Sequence, residues 1–523
     1  MGAILRITFR VDASLLIGTG HVMRCRTLAT AFKKKGADIQ FISRAHSGHL
    51  GDVLARENFE VTLLPVLAEV EGKENNYTDW LGVSQQEDAD QTIVALQNQP
   101  CDWIIVDHYG LDGFWETRLQ VHTKKMMVID DLANRPHQCD ILLDQNYAEI
   151  NQARYQSLVP VHCRLLLGPR YALLRPEYLQ YRETSSPRSG NVQRVLVFMG
   201  GGDNDNITGK VLDALSASSF AHLQVDVVIG PNFVHKEQIN KQASMSPNTR
   251  VYGPRLHLAD LMEKADCAIG AGGGTTWERL CLGLPSMVFS IAENQVPACE
   301  ALASSKFIWY LGDGRKLSVA TIESALFDAL EEIQQSCDLE NNYKALVDGR
   351  GTDRIVEALY PTPVEELTLR AANNEDALTY FAWVNDPAVR LSAINSELID
   401  LSEHLKWFDK QLMDMGSYLF VLEAGTLPVG QIRFERCRVE CTISYSLDFL
   451  VRGRGWANYL LKCGIKALSR IQPIRLKAVV KSENSASIAA FIRLGFTEQS
   501  DNSEKGNIRN FYFSLSQVRD LDF

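Results

Sequence analysis

The sequence predicts an α/β protein with two parallel-sheet domains followed by a third, smaller α/β domain. Strand-like and helix-like stretches alternate to about residue 345, which is typical of β-α-β units and a parallel sheet. Glycine turns follow two of these strands, at 18–20 and 272–274. A proline-bearing stretch, LYPTPVEE at 359–366, then precedes a new strand and a different order of elements. These three observations define the predicted architecture.

We expect Rossmann-like domains at 1–155 and 156–350, a linker at 351–366 and a third domain at 367–523. The chain has 523 residues, which is too long for one hydrophobic core. Its 46% hydrophobic and 22% charged residues match an ordinary soluble globular protein.

The charge and the cysteines exclude several classes of function. A net charge of −11 argues against nonspecific binding of nucleic acid or anionic membranes, since both need a basic surface. The longest apolar runs have only the length of a strand, and the first residues resemble a buried strand rather than a signal peptide. The 11 cysteines form no CxxC pair and no zinc pattern. We therefore predict a cytoplasmic protein with reduced thiols, no metal and a small-molecule substrate.

The first glycine turn carries a candidate catalytic residue. The strand ILRITF is followed by Asp12, then by Gly18 and Gly20, and then by His21 at the start of a helix. Open α/β sheets bind ligands at this edge, where glycine lets the backbone approach a ligand and the helix offers N–H groups to an anion. Histidine exchanges protons near neutral pH. By local pattern alone, a structural turn with an incidental histidine fits equally well.

Polar residues also follow three other strands of the first domain. They are Asp107, His108 and Tyr109, then Asp130 and Asp131, and then Asp144, Gln145 and Asn146. Each group alone is typical of a helix cap or an Asx turn. Because all of them fall at the edge that carries His21, together they predict a pocket.

The second glycine turn has the features of a phosphate site. A strand runs into Gly272, Gly273 and Gly274, and a helix then begins with Thr275 and Thr276. Backbone N–H groups, hydroxyls and the helix dipole would all favour an anion there. Glu278, one turn into the helix, is placed to accept hydrogen bonds from ribose hydroxyls. A flexible loop is the alternative, and the absence of GxGxxG argues against a nicotinamide cofactor.

The third segment contains a candidate pyrophosphate loop. The stretch VRGRGWA fits the pattern [QR]xxGx[GA] and precedes a helix. Its residues are Val451, Arg452, Gly453, Arg454, Gly455, Trp456 and Ala457. Consecutive N–H groups at the start of a helix bind a pyrophosphate well.

With NSASIAAFIRLGF further on, this segment resembles the GNAT superfamily of acetyl-CoA-dependent N-acetyltransferases. The resemblance implies acetyl-CoA as co-substrate, its pyrophosphate on the amides of 452–457, and Asn484 near the pantetheine arm. Phe491 occupies the position where many members carry a tyrosine that protonates the leaving thiolate. A water, a tyrosine such as Tyr512, or proximity alone would then have to serve. A degenerate, purely structural domain is the other alternative.

The first two segments resemble the GT-B architecture. They are most similar to the UDP-2,4-diacetamido-2,4,6-trideoxy-β-L-altropyranose hydrolases of pseudaminic acid biosynthesis. RVDASLLIGTGHVMRC, VIDDLANRPHQCDILLDQN and GAGGGTTWERLCLGLPSMVF carry this similarity. It implies His21 as the base, 272–276 near the phosphates and Glu278 on the ribose. It also implies that Asn294 and Gln295 face the sugar.

Together the two resemblances suggest a bifunctional enzyme that acetylates a UDP-4-amino-sugar and then removes UDP. A diphosphate is already a good leaving group, so one base that activates water suffices, and attack opposite UDP inverts the anomeric centre. Three alternatives remain. The first two domains would be a GT-B glycosyltransferase, or the third would be a protein N-acetyltransferase or a non-catalytic scaffold. In the third alternative, the substrate is a different diacetamido sugar of a neighbouring, sialic-acid-like pathway.

Overall fold

The computed structural model describes residues 4–66, 77–97, 99–148, 151–188, 191–336, 339–437, 440–470, 475–499 and 508–514. The chain divides into two compact units, Met1–Val356 and Glu357–Phe523. The stretch 351–366, predicted to be a linker, spans this division, and its first part is a helix.

The first sheet of unit 1 is parallel, and the described residues give it seven strands in the order β3-β2-β1-β4-β5-β6-β7. The strands are β1 (Arg6–Val11), β2 (Asp38–Arg44), β3 (Glu60–Leu64), β4 (Cys101–Asp107), β5 (Thr123–Ile129), β6 (Ile141–Asp144) and β7 (Arg164–Leu167). The helices are α1 (Gly20–Lys34), α2 (Gly51–Arg56), α3 (Gln85–Ala95), α4 (Gly113–Leu119) and α5 (Asn151–Tyr155). The strand order reverses between β1 and β4, and such switch points are where open sheets bind ligands.

The second sheet of unit 1 is also parallel, with six described strands in the order β10-β9-β8-β11-β12-β13. They are β8 (Arg194–Phe198), β9 (Gln224–Val228), β10 (Thr249–Tyr252), β11 (Cys267–Ala271), β12 (Ser286–Ser290) and β13 (Trp309–Asp313). The helices are α6 (Pro176–Thr184), α7 (Ile207–Leu215), α8 (Lys236–Ser244), α9 (Ala259–Lys264), α10 (Thr275–Cys281), α11 (Val296–Ser304), α12 (Val319–Gln335), α13 (Leu339–Leu346) and α14 (Gly351–Leu359). The switch point here lies between β8 and β11.

Burial explains why these strands are legible in the sequence. In β4 the residues Trp103, Ile104, Ile105 and Val106 are at most 5% exposed, because helices cover both faces of the sheet. The resulting run of apolar residues is the signal of a buried parallel strand.

Three elements were not predicted, for physical reasons. Strand β13 lies at the edge of its sheet and all five of its residues are only half-buried, although Trp309, Tyr310 and Leu311 belong to an apolar run. Strand β7 has only four residues and runs straight into the turn at Gly168. Helix α6 was not predicted from its sequence either. It begins at Pro176, and proline fits the first position of a helix without the loss of a hydrogen bond.

Unit 2 contains a mixed sheet with seven described strands, in the order β14-β15-β16-β17-β18-β20-β19. They are β14 (Leu367–Ala371), β15 (Ser417–Ala424), β16 (Leu427–Cys437), β17 (Glu440–Leu447), β18 (Arg475–Lys481), β19 (Thr497–Gln499) and β20 (Ile508–Ser514). Its helices are α15 (Ala377–Val384), α16 (Pro387–Ser392), α17 (Leu401–Met413), α18 (Trp456–Ser469) and α19 (Ser485–Arg493).

One irregularity in this sheet positions a site. The parallel strands β17 and β18 pair only from Glu440 with Arg475 to Ile443 with Ala478. Beyond these residues β17 remains paired with β16 as far as Leu447, so β17 and β18 diverge. Their divergence opens a gap at the carboxyl end of the sheet.

Candidate active sites

His21 and Asp107 meet at the switch point of the first sheet. Strand β1 pairs with β4 in a register that places Val11 beside Asp107, and His21 follows in the first turn of α1. The His21 Nδ1 atom lies 2.6 Å from a carboxylate oxygen of Asp107. The His21 side chain is 11% exposed, whereas that of Asp107 is fully buried. A carboxylate on Nδ1 fixes the ring and leaves Nε2 as the proton acceptor, which is how a general base is arranged.

Arg24 keeps Asp107 ionised. Its Nε and one terminal nitrogen donate to the two Asp107 oxygens over 2.6 and 2.7 Å. Burial alone would raise the pKa of Asp107, but the charge of Arg24 and then that of His21 hold it far below its usual range. Asp107 is therefore negative at neutral pH and can stabilise a protonated His21.

Aromatic rings form the wall beside His21. The Tyr109 ring meets the imidazole edge-on, 4.7 Å between centroids, and its hydroxyl donates to Asp131. Trp80 stacks on Tyr109 at 5.5 Å. Arg24 also donates to Asp131 over 3.3 Å, so the arginine ties the wall to the His21–Asp107 pair. The predicted residues His21, Asp107 and Tyr109 thus come together, whereas Trp80 and Arg24 carried no recognisable signal in the sequence.

The side chains of Asp12 and His108, by contrast, are buried in the interior of unit 1. Asp12 is fully buried, accepts from Arg10 over 2.6 and 2.9 Å, and accepts from the Arg44 backbone N–H over 2.6 Å. His108 is 3% exposed and its Nε2 lies 3.3 Å from Asp12, while burial lowers its pKa. Both side chains are buried in this structure, and their predicted contact with the ligand stays a prediction. Asp107, not Asp12, orients His21.

Asp12 belongs to a buried ion network, which we call the Arg10 network. Its other members are Arg10, Asp88 and Arg44, all fully buried. Asp88 accepts from Arg10 over 2.6 Å, from Arg44 over 2.5 Å and from the Trp115 indole over 3.0 Å. The network holds β1, β2 and α3 together directly beneath the turn that carries His21.

The glycines of the first turn differ in their requirements. Gly18 has φ +79°, a conformation that favours glycine, and its N–H donates to the Ser14 carbonyl over 2.9 Å. A Cβ atom on Gly20 would meet no described atom within 4 Å, so the backbone at this position is open to an approaching ligand.

The second glycine turn is organised by Arg279. This buried side chain donates to the Ala271 carbonyl and to the Thr276 hydroxyl, each over 2.9 Å, and lies 3.3 Å from the Thr275 hydroxyl. Burial lowers the pKa of Arg279 to about 10. The Thr276 hydroxyl is therefore occupied and buried, and Thr275 is the more accessible of the two threonines.

Close packing explains why the first residue of the turn between β11 and α10 is a glycine. A Cβ atom on Gly272 would lie 2.3 Å from the Cys299 sulfur, whereas Gly273 and Gly274 have more room. Gln295 lies beside Gly272 and accepts from the Ile291 N–H over 3.0 Å, while Asn294 is exposed on the same short turn. Gln295 therefore contacts the glycine turn, and its predicted contact with the sugar, like that of Asn294, stays a prediction.

Glu278 is half-buried in α10. Burial raises the pKa of Glu278 to about 7, and a hydrogen bond from the Tyr178 hydroxyl opposes this shift. The carboxyl group therefore lies against Tyr178 and titrates close to neutral pH.

The two switch points of unit 1 approach each other. A Cβ atom on Gly201, in the turn after β8, would lie 2.8 Å from the Thr19 hydroxyl in the turn before α1. The negative charges of Asp131 and Glu293 both act on Tyr77, whose ring lies 5.0 Å from that of Tyr109. Residues after β12 therefore lie close to the aromatic wall beside His21.

In unit 2, the predicted pyrophosphate loop exposes backbone rather than side chains. Gly453 and Gly455 have φ +81° and +79°, and a Cβ atom at either position would meet no described atom within 4 Å. The side chains of Val451 and Trp456 are buried. This combination of open glycine backbone and buried flanking side chains fits a diphosphate bound on main-chain amides.

Both arginines of that loop have carboxylate partners. Arg452 lies 2.8 Å from Asp386, and Arg454 lies 2.5 Å from Glu357. Asn484 caps α19 by accepting from the Ser487 N–H over 3.1 Å. The side chain predicted near the pantetheine arm therefore also fixes the start of this helix.

Phe491 and Tyr512 lie on different sides of the sheet. Phe491 is 2% exposed and its ring lies 6.3 Å from that of Phe511. Neighbouring residues of a strand point to opposite faces, so Tyr512 points away from α19. Its ring packs under the Arg475 guanidinium at 4.2 Å. Tyr512 is therefore not placed to protonate a thiolate beside α19.

The described residues contain neither a metal centre nor a membrane helix. Within them, no group of three or more His, Cys, Asp or Glu side chains is arranged to hold a metal ion. No helix in the described part of the chain combines the length and apolar character needed to cross a membrane.

Residues 366–497 match the family model of the acetyltransferase (GNAT) domain. Together with the loop at 451–457 and the diverging strands, this match identifies the C-terminal part of the chain as a GNAT domain. By structure, the chain is similar to the spermidine N-acetyltransferase of Vibrio cholerae, with 17% identity and a TM-score of 0.27, covering 30% of this chain and 99% of that one. It is also similar to an N-acetyltransferase of Staphylococcus aureus, with 21% identity and a TM-score of 0.25, covering 28% and 98% of the two chains.

Three curated relatives match between 58% and 98% of the chain. The UDP-2,4-diacetamido-2,4,6-trideoxy-β-L-altropyranose hydrolase of Campylobacter jejuni is 24% identical over 304 residues, 58% of this chain and 98% of that protein. The spore coat polysaccharide biosynthesis protein SpsG of Bacillus subtilis is 23% identical over 353 residues, 67% and 96% of the two chains. An uncharacterized protein of Methanocaldococcus jannaschii is 22% identical over 536 residues, 98% of this chain and 100% of that protein.

Proposed function

We propose that the chain is a bifunctional nucleotide-sugar enzyme of pseudaminic acid biosynthesis. Its GNAT domain transfers an acetyl group from acetyl-CoA to the 4-amino group of a UDP-4-amino-sugar. Unit 1 then hydrolyses the resulting UDP-2,4-diacetamido-2,4,6-trideoxy-β-L-altropyranose with inversion. The observation that carries this proposal is the His21–Asp107 pair at the switch point of the first sheet. The similarity of the chain to the Campylobacter hydrolase, over 58% of its length, supports the same proposal.

In the hydrolytic step, His21 Nε2 takes a proton from water as the water oxygen attacks the anomeric carbon. The bond between that carbon and the UDP oxygen breaks, and its electron pair stays on the diphosphate. Asp107, held ionised by Arg24, stabilises the imidazolium that forms. Main-chain N–H groups of Gly273 and Gly274 stabilise the charge of the departing diphosphate.

In the acetyl transfer, the diphosphate of coenzyme A lies on the amides of 452–457 and the thioester enters the gap between β17 and β18. The open backbone at Gly453 and Gly455 supports this placement. The gap holds the thioester against the amine, and such proximity can contribute several kcal/mol to lowering the barrier, on the order of 7 or more in favourable cases.

Product analysis in ¹⁸O-labelled water tests the proposal. The full-length protein is incubated with the UDP-4-amino-sugar and acetyl-CoA, and the products are followed by mass spectrometry. We expect coenzyme A to be released first, then free diacetamido sugar and unlabelled UDP, with the ¹⁸O in the sugar.

Other results would contradict specific parts of the proposal. Label in UDP would place the attack at phosphorus rather than at the anomeric carbon. UDP release only after an alcohol is added would make unit 1 a glycosyltransferase. If acetyl-CoA is not consumed with this amine, the proposed acetylation of the UDP-4-amino-sugar is wrong, and protein amines become the next acceptors to test.

A further inference from the structure

The GNAT domain lacks a hydroxyl at the position of Phe491. This ring is 2% exposed and packs against Phe496, with 4.9 Å between the ring centroids. A phenyl ring has no proton to give to a thiolate that leaves beside it. The structure contains a different tyrosine in contact with the same ring.

Tyr445 lies on β17 where this strand diverges from β18. The last paired residues are Ile443 and Ala478, and Tyr445 is the second residue after Ile443. Side chains two apart on a strand share a face, so Tyr445 points to the same side as Ile443. Its ring meets Phe491 edge-on, 5.8 Å between centroids. Tyr445 is half-buried, so it reaches the mouth of the gap.

Ser487 connects this tyrosine to the first turn of α19. Its hydroxyl lies 3.1 Å from the Tyr445 hydroxyl, and its N–H donates to Asn484. Ser487 is half-buried. The two hydroxyls therefore form a short chain that runs from the gap towards solvent.

We propose that Tyr445 replaces the tyrosine missing at 491 and protonates the sulfur of coenzyme A, with Ser487 returning a proton to it. This inference rests on the acetyltransferase function proposed above. The amine nitrogen attacks the thioester carbonyl carbon, the carbon–sulfur bond breaks, and its electron pair remains on sulfur. The Tyr445 O–H proton passes to that sulfur and gives the thiol. The nitrogen loses its extra proton to water, and water returns a proton to Tyr445 through Ser487.

The chemical environment of Tyr445 agrees with this role. Burial raises the pKa of Tyr445, with the Ser487 hydrogen bond opposing the shift, so the phenol holds its proton at neutral pH. A hydroxyl that bonds to another hydroxyl can both give and receive a proton.

The substitution Y445F removes the hydroxyl and keeps the ring contact with Phe491. We expect kcat for thiol release to fall about 100-fold, the scale of general acid catalysis, with the KM for acetyl-CoA changed by less than about twofold. The matched control Y512F removes a hydroxyl from the opposite face and should leave kcat unchanged. Because Phe491 touches the Tyr445 ring, adding F491Y to the Y445F variant should raise kcat at least about tenfold above that of Y445F alone.

A Y445F kcat within about twofold of the wild type, or an equal fall in Y512F, overturns the proposal. If Y445F fails to bind acetyl-CoA in a thermal-shift assay, S487A takes its place, since it leaves all ring packing intact. S487A should then lower kcat about tenfold, and an unchanged kcat overturns the proposal.

The wild-type protein separates this inference from the proposed function. No acetylation of the UDP-4-amino-sugar by the wild type would contradict the proposed function alone. Y445F and the wild type are then compared in the slow hydrolysis of acetyl-CoA, which expels the same thiolate and needs no amine. A similar loss in Y445F supports Tyr445 as the proton donor, and equal rates overturn it.

Discussion

Two histidines of unit 1 have nearly the same carboxylate contact at Nδ1 but differ in the surroundings of Nε2. His21 Nδ1 lies 2.6 Å from Asp107, and His137 Nδ1 lies 2.7 Å from Glu116. The other ring nitrogen of His137 lies 3.8 Å from Asp130, and the side chain is fully buried. His21 is 11% exposed, and the described residues provide no hydrogen-bond partner for its Nε2.

A carboxylate on Nδ1 therefore does not by itself make a histidine a base. Burial would lower the pKa of His137, but Asp130 and Glu116 raise it to about 9. His137 is thus a protonated, structural cation at neutral pH and has no site for another proton. What distinguishes His21 is an accessible second nitrogen.

The largest expected effect is on catalysis by His21→Ala. Removal of the base should lower UDP release from the diacetamido sugar nucleotide by about 10⁴-fold, since proton transfer contributes up to that factor. Acetylation should continue, so the acetylated UDP-sugar should accumulate and be visible by mass spectrometry. The distinction between the two histidines fails if H137Q reduces the rate as strongly as H21A while both remain folded.

Asp107→Asn should have the next largest effect. An amide can donate to Nδ1 and hold the imidazole in the tautomer that cannot accept a proton at Nε2, so kcat should fall about 10³-fold. Glu116→Gln makes the same change beside His137 and should leave kcat within about twofold while lowering the urea midpoint. Equal losses of kcat in the two variants would show that the carboxylates act through stability alone.

The stability of the protein should depend on pH through His137. Because the folded pKa of about 9 lies above the unfolded value near 6.5, its contribution is complete below about pH 6.5 and is lost as pH rises through 9. This amounts to roughly 2–3 kcal/mol, measured as the free energy of unfolding in urea at pH 6 and pH 9.5. In H137Q the difference between the two pH values should shrink by that amount, and an unchanged difference would remove His137 as its source.

Tyr109→Phe should give the smallest effect. The ring contact with His21 at 4.7 Å is retained, and only the hydrogen bond to Asp131 is lost. Because the lost hydrogen bond lies beside the His21–Asp107 pair and not within it, we expect at most about a tenfold loss of kcat, or about 1.4 kcal/mol. A loss as large as that of D107N would mean that the phenol itself takes part in the proton transfer.

Much of the fold could be predicted because buried parallel strands are continuous apolar runs. The glycine turn at 272–274 was predictable because it follows such a run directly, and the turn at 18–20 with His21 was predictable because it lies between a buried strand and a helix. Local patterns could not show that Asp107 orients His21, since the two residues are 86 positions apart. Their contact depends on β1 and β4 being neighbours, which is a property of strand order.

The direction in which a side chain points was the other property that the sequence did not reveal. Asp12 precedes the first glycine turn and was expected at the ligand, yet it is fully buried beside Arg10. In the GNAT domain, Tyr512 was a suggested proton donor, but alternation along β20 turns it away from α19. The contact between Tyr445 and Ser487 spans 42 positions and depends on where two strands stop pairing.

The Arg10 network has a consequence for how the chain selects its fold. Arg10 on β1 pairs with Ile42 on β2, and Arg44, two residues further, shares that face. A slip of β1 by one residue would turn Arg10 and Asp12 together to the opposite face and would take Arg10 away from Asp88, which also pairs with Arg44. Unpaired buried charges cost several kcal/mol, so misfolded alternatives with shifted strands are heavily penalised. These buried ions thereby help to fix the position of β1, the strand that precedes His21.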